Sequence, residues 1–126
     1  MLRLARRAVP IGLLLVVLTQ SSALAATVNI SATNTSTAFF FSPMTASVSQ
    51  GSTALWTNTG TVNHTTTSDN GLWDSGDLQI GQSFSFMFTD PGVYWYFCRP
   101  HPFMRGTITI DPNAPAPQGG SIQIDG

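Results

Sequence analysis

Beyond residue 26 no stretch of this chain keeps a helical apolar period for more than a turn or two, and that absence limits the fold more than any other feature. Segments rich in Val, Ile, Thr, Phe, Trp and Tyr recur instead, roughly every 8 to 12 residues, with turn signals between them. The signals are Gln50-Gly51, Thr59-Gly60, Asn70-Gly71, Ile80-Gly81 and Asp90-Pro91-Gly92, where glycine admits the backbone angles of a tight reversal and proline presets φ. The spacing predicts strands at 27–32, 39–41, 44–49, 53–58, 63–67, 83–88, 93–98 and 106–110. Such a series folds as an all-β sandwich or barrel.

Alternation indicates which side chains face the core. Phe84, Phe86 and Phe88 share one face of their strand, and Ser83, Ser85 and Met87 share the other, so the phenylalanines point inward. In the following strand both parities are apolar. Tyr94 and Tyr96 are placed inward there, because Cys98, with the same parity, must face the interior to bind a metal held between sheets.

Residues 1–25 have the order of an export signal: Arg3, Arg6 and Arg7, then the apolar run from Ile11 to Leu18, then the small-residue site Ala23-Leu24-Ala25. The apolar run is short for a bilayer span. Arg6-Arg7 resembles a twin-arginine pair, but its neighbours do not extend that pattern, and no cysteine follows the cleavage point to carry a lipid. The expected domain is 26–111, a size that supports one modest core, and 112–126, with Pro112, Pro115, Pro117 and Gly119-Gly120, is an extended tail in which Ile122 and Ile124 leave an edge strand open. From residue 26 on, two arginines against six aspartates give a net charge of −4, which argues against nucleic acid as a partner. A chain with one cysteine makes no internal disulfide, so the thiol is either inert in the core or used chemically.

That cysteine opens Cys98-Arg99-Pro100-His101-Pro102-Phe103-Met104. A thiolate, an imidazole and a thioether therefore fall within one short turn between strands, stiffened by two prolines. His64, in Thr61-Val62-Asn63-His64-Thr65, is the remaining histidine and supplies the second imidazole. Taken singly, each residue has an ordinary reading as core filler or as a hydrogen-bonded strand residue. Together, His64, Cys98 and His101 form a near-trigonal set with Met104 as a long axial ligand, the donor set of a copper ion that cycles between Cu(I) and Cu(II). Structural zinc wants four Cys or His ligands and three are available. The Cys-x-x-Cys-His of a c-type haem is absent.

With Phe41-Ser42-Pro43, Leu55-Trp56-Thr57-Asn58, His64-Thr65, Asp90-Pro91-Gly92-Val93-Tyr94 and Met104-Arg105-Gly106-Thr107 added to the ligand loop, the chain resembles a cupredoxin, a small blue copper protein of the plastocyanin and amicyanin group. The two-residue gap between His101 and Met104 is similar to amicyanin's short loop. The resemblance implies an eight-stranded Greek-key β-sandwich and one type 1 copper. It also implies a monomer that carries single electrons between protein redox partners in a periplasm or equivalent exported space, with no catalysis of its own. The C-terminal histidine of that family reaches the surface through an apolar patch, which makes His101, Pro102 and Phe103 the expected electron-transfer surface. Plastocyanins and amicyanins commonly carry Asn directly after the first histidine to tie the two ligand loops together. Here that position is Thr65, with Asn63 before the ligand, and these two are the expected residues around the site.

Arg99 and Arg105 both lie in or beside the ligand loop and every aspartate lies elsewhere in sequence, a polarity that would steer an acidic partner to the copper end unless Arg105 only bonds loop carbonyls. The alternative function is copper storage, delivery or sensing. It calls for an exposed Met- or His-rich site, whereas Met44 and Met87 fall on predicted strands.

Overall fold

The computed structural model describes residues 8–17 and 24–114, and all its regular structure is strand. The eight strands are β1 (Thr27–Asn34), β2 (Phe39–Ser42), β3 (Thr45–Ser49), β4 (Thr53–Asn58), β5 (Thr67–Ser68), β6 (Ser83–Met87), β7 (Gly92–Cys98) and β8 (His101–Asp111). They form two four-stranded sheets, in the orders β2-β1-β4-β6 and β3-β8-β7-β5. The chain crosses between sheets at every connection from β2–β3 to β6–β7, so neighbours in sequence face each other across the core, and the sandwich expected from the spacing is the fold observed.

The core is built by strict alternation. Ile30 and Ala32 of β1, Ala54 and Trp56 of β4, Tyr96 and Cys98 of β7, and Met104, Ile108 and Ile110 of β8 all point between the sheets. Phe84 and Phe86 pack against this cluster and Phe88 is inside it, while Met87 is exposed, as their parity requires. Val93 and Trp95 take the outer face of β7. Each large apolar side chain so enclosed contributes about 1.5–3 kcal/mol of transfer free energy. Tyr96 stands opposite Gly106 in the β7–β8 ladder, and its ring lies so close over the glycine that a Cβ there would fall on the phenol.

One predicted strand is largely absent. Residues 63–67 make isolated bridges, His64 with Leu78 and Thr67 with Asp74, and only Thr67–Ser68 forms a strand, against β7. The reason is where the backbone donors go: Thr65 N–H points to the Cys98 sulfur and Thr66 N–H to Ser75 Oγ, so neither serves a ladder. The last strand is also longer than 106–110. It begins at His101, and between the pairs Cys98–His101 and Phe97–Arg105 the register slips, so that Pro102, Phe103 and Met104 are extra residues on β8 with no counterpart on β7. The expected open ligand loop is thus a two-residue reversal, Arg99-Pro100, followed by a three-residue bulge.

At the start of the tail Ala114 N–H bonds Asp111 C=O. Residues from 115 onward, including Ile122 and Ile124, lie outside the described residues, as do 1–7 and 18–23 of the expected export segment.

Candidate metal centre

Four segments meet at one end of the sandwich. Cys98 closes β7 and is fully buried; His101 opens β8 and is half-buried; Met104 leaves the bulge and turns into the same core cluster as Cys98, 1% exposed. His64 arrives from the other side on the bridged segment and is fully buried. The ligand atoms of His64, Cys98 and His101 lie within 4.8 Å of one another. Both Nδ1 atoms face the thiol, at 3.7 Å for His64 and 3.5 Å for His101.

The tautomer of His64 follows from its neighbours. Thr61 N–H, which can only donate, meets an Asn34 side-chain atom at 2.9 Å, so that atom is Oδ1. The same oxygen lies 3.4 Å from His64 Nε2, which must therefore donate, and the Nδ1 lone pair is left facing Cys98. Asn34 is held by its amide, which donates to Thr61 Oγ1 at 2.9 Å. Gly60 makes room for this contact: a Cβ there would overlap Asn34 Oδ1 and come within 2.9 Å of His64 Nε2. Asn58, fully buried, anchors the loop by donating to Val62 C=O and Leu78 C=O and accepting from Gly60 N–H.

Thr65 links the two ligand segments. Its N–H donates to Cys98 Sγ at 3.3 Å and its Oγ1 accepts from Arg99 N–H at 2.8 Å. Asn63 is exposed, and the bonds that tie the loops run through Thr65, Asn34 and Asn58 instead, so of the two neighbours expected around the site only Thr65 is brought to it. Phe39, at the start of β2 in the opposite sheet, stacks on His101 with ring centroids 4.2 Å apart and meets Phe103 and His64 edge-on at 5.9 and 6.2 Å. Phe103 is the most exposed aromatic here, at 70%. Asn34 and Phe39 carry no motif in the sequence, and although Asn58 ends the Leu55-Trp56-Thr57-Asn58 run and Gly60 lies in the Thr59-Gly60 turn, neither announced a role at the site.

Burial pushes the Cys98 thiol up, against the opposing pull of the Thr65 and His101 backbone amides. Burial, with repulsion from His101, pulls His64 down. In the free protein the sulfur thus holds its proton and His64 stays neutral, so metal uptake releases the thiol proton and finds the His64 lone pair ready. A buried thiol between two Nδ1 atoms, with the Met104 thioether in the same core cluster, fits copper by the softness of its donors.

The charge polarity expected for this end is cancelled. Arg99 pairs with Asp74 at 3.3 Å and Arg105 with Asp69, so both cations are neutralised by aspartates distant in sequence, and Arg105 spends its guanidinium on a carboxylate rather than on loop carbonyls. Arg105 also lies 5.7 Å over the Phe97 ring. Both pairs are half-exposed and worth at most ~1 kcal/mol each.

Known proteins share this fold and parts of this sequence. A purple cupredoxin from Nitrosopumilus maritimus superposes with a TM-score of 0.60 at 32% identity, over 66% of this chain and 98% of that one. Amicyanin-alpha of Methylorubrum extorquens is 35% identical over 69 residues, 51% of this chain and 58% of its own length. Plastocyanin of Scenedesmus fuscus is 32% identical over 86 residues, 58% of this chain and 88% of its own length. The chain spans a little over half the length of the amicyanins of M. extorquens and Paracoccus versutus. The pattern of copper binding proteins of the plastocyanin/azurin family matches residues 27–111, the whole span that carries the two sheets together with His64, Cys98, His101 and Met104, and the chain belongs to that family.

Proposed function

We propose that this protein is a one-electron carrier with one type 1 copper, which His64, Cys98, His101 and Met104 would hold. The observation that carries the reading is the convergence of two Nδ1 atoms on one buried thiol, in a pocket whose walls are tied before metal arrives. Bound copper supplies a centre that accepts and gives up one electron. The chain's own residues do the rest: Asn34 sets the His64 tautomer, Thr65 holds the sulfur through its N–H, and Phe39 covers one face of His101. Fixed ligands change little between oxidation states, and a site filled by four protein donors leaves no position for a substrate. This favours carriage over catalysis.

The electron leaves through the His101 edge, and protein redox partners dock transiently on Pro102 and Phe103 at that end, with Phe39 beside them. The order of charges and apolar residues in 1–25 supports export to a periplasm or cell-surface space, and the carrier works there as a monomer.

Copper reconstitution tests the assignment. The Cu(II) protein should absorb intensely in the visible through charge transfer from Cys98, and Cys98→Ser should lose the colour while keeping a folded sandwich. A Cys98→Ser protein that stays coloured refutes the ligand set, and a wild-type protein that binds only Cu(I) without colour favours storage or delivery.

A further inference from the structure

At the end of the sandwich away from the metal donors, the turn joining β3 to β4 buries two hydroxyls, Ser49 at 1% and Ser52 at 0% exposure. They meet residues 24–26, which straddle the expected cleavage point after Ala25. Ala26 N–H donates to Ser52 Oγ at 3.1 Å, the two serine oxygens are 3.1 Å apart, and Ser49 donates to Leu24 C=O at 2.9 Å. An amide that only donates stands at one end of this relay and a carbonyl that only accepts at the other, so its direction is set: Ser52 donates to Ser49. Ala26 is fixed from its other side as well, because its C=O accepts from Thr53 N–H at 2.8 Å.

We propose that the Ser49–Ser52 pair is a seat for the α-ammonium group of Ala26, formed when the export segment is removed; the proposal rests on the export reading. Without residues 24–26 each buried hydroxyl would have only the other as a side-chain partner, an unfavourable state for two polar groups buried to 1% and 0% exposure. Cutting after Ala25 takes away Leu24, the acceptor at the end of the relay, and changes Ala26 N from one amide donor into three charged ones at the place where Ser52 already presents its lone pair. Ala26 is half-buried, so the ammonium keeps part of its hydration while it gains a charge-assisted bond, roughly twice as strong as the amide bond it replaces. The processed terminus then pins β1 to the β3–β4 turn.

The test compares protein made to begin at Ala26 with the same protein acetylated on that nitrogen, by denaturant unfolding. The free-ammonium form is expected to unfold with an equilibrium constant about tenfold smaller, the step from a neutral to a charge-assisted bond. Ser52→Ala should bring the two forms together, Ser49→Ala should narrow the gap, and Ser52→Thr, which keeps the hydroxyl, should retain it. No gap in the parent protein, or a gap that persists in both alanine variants, refutes the seat. The intact mass of the exported protein is a separate reading: a start other than Ala26 overturns the processing step, while the serine-dependent gap is judged on its own.

Discussion

A single methyl group at Gly60 should cost the protein part of its stability and much of its hold on copper. Gly60 is buried, so the added Cβ has no open side. It would overlap Asn34 Oδ1, lie 2.9 Å from His64 Nε2 and 3.2 Å from the Asn34 backbone nitrogen. The backbone atom belongs to β1 and cannot yield, so the Asn34 side chain must swing away. It then gives up its bonds to Thr61 N–H, Thr61 Oγ1 and His64. At about 1 kcal/mol net for each bond the loss approaches 3 kcal/mol, and since Asn34 is half-exposed and can bond solvent instead, about 1–3 kcal/mol is the expected cost in the copper-free protein. Copper affinity should fall about 10–100-fold, the usual effect of losing the partner that orients a ligating imidazole. Urea unfolding of the free protein and chelator competition for copper measure the two quantities. The double variant is the sharper test: with Asn34→Ala already in place the worst overlap, with Asn34 Oδ1, is gone and only the contacts with His64 Nε2 and the residue 34 backbone remain, so Gly60→Ala should cost less than in the parent. Equal costs in both backgrounds, or unchanged copper affinity in Gly60→Ala, would show that Asn34 does not orient His64.

Three further predictions follow from other parts of the fold. Phe103→Asp should slow electron transfer to a protein partner while leaving the visible spectrum nearly unchanged, which stopped-flow rates and spectra on the same sample separate; an unaltered rate would place docking elsewhere. Tyr96→Phe should shift stability by no more than about 1 kcal/mol, because burial pushes the Tyr96 hydroxyl up to about 12 and its one polar neighbour, the buried Trp56 N–H, opposes that only weakly; a larger loss in urea would mean that the hydroxyl and Trp56 satisfy each other. The copper-free protein should be most stable on a plateau between about pH 6.5 and 9, the ordinary values of its two perturbed ligands. Below 6.5 the unfolded chain takes up a proton at His64 that the folded protein resists, and above 9 the unfolded chain releases a Cys98 proton that the folded protein keeps, so stability falls both ways at up to ~1.4 kcal/mol per pH unit for each group. His64→Gln should flatten the acid edge above pH 5, and an edge that survives this change would assign it to another group.

Much of this molecule was legible in its residues because the signals were local. The parity of Phe84, Phe86 and Phe88 sits within one strand, and Cys98, His101 and Met104 sit within one turn, so periodicity and donor chemistry locate both without knowledge of the fold. The parts that escaped are bonds across long separations. Asn34 reaches His64 thirty residues away, and Arg105 reaches Asp69 thirty-six residues away, so nothing near either end announces the partner. The strand expected at 63–67 failed for a related reason. Its Thr and His content suits a ladder, but Cys98 and Ser75, supplied by later segments, take the backbone donors first. Asn63 looked useful because it adjoins a ligand, but it is the last of three exposed loop residues before the buried run His64-Thr65-Thr66 and faces solvent.

The three unmatched residues of β8 separate two kinds of requirement in this chain. From Arg105 to Ile110 every residue faces a partner on β7, and a change of length there would turn the inward row of Gly106, Ile108 and Ile110 outward. Pro102, Phe103 and Met104 have no such partner, so residues added or removed among them alter the spacing between His101 and the core side chain of Met104 and the shape of the exposed apolar surface without shifting the ladder. The metal end is in that sense an exchangeable cassette on a fixed frame. Its length can change while the frame need not be rebuilt.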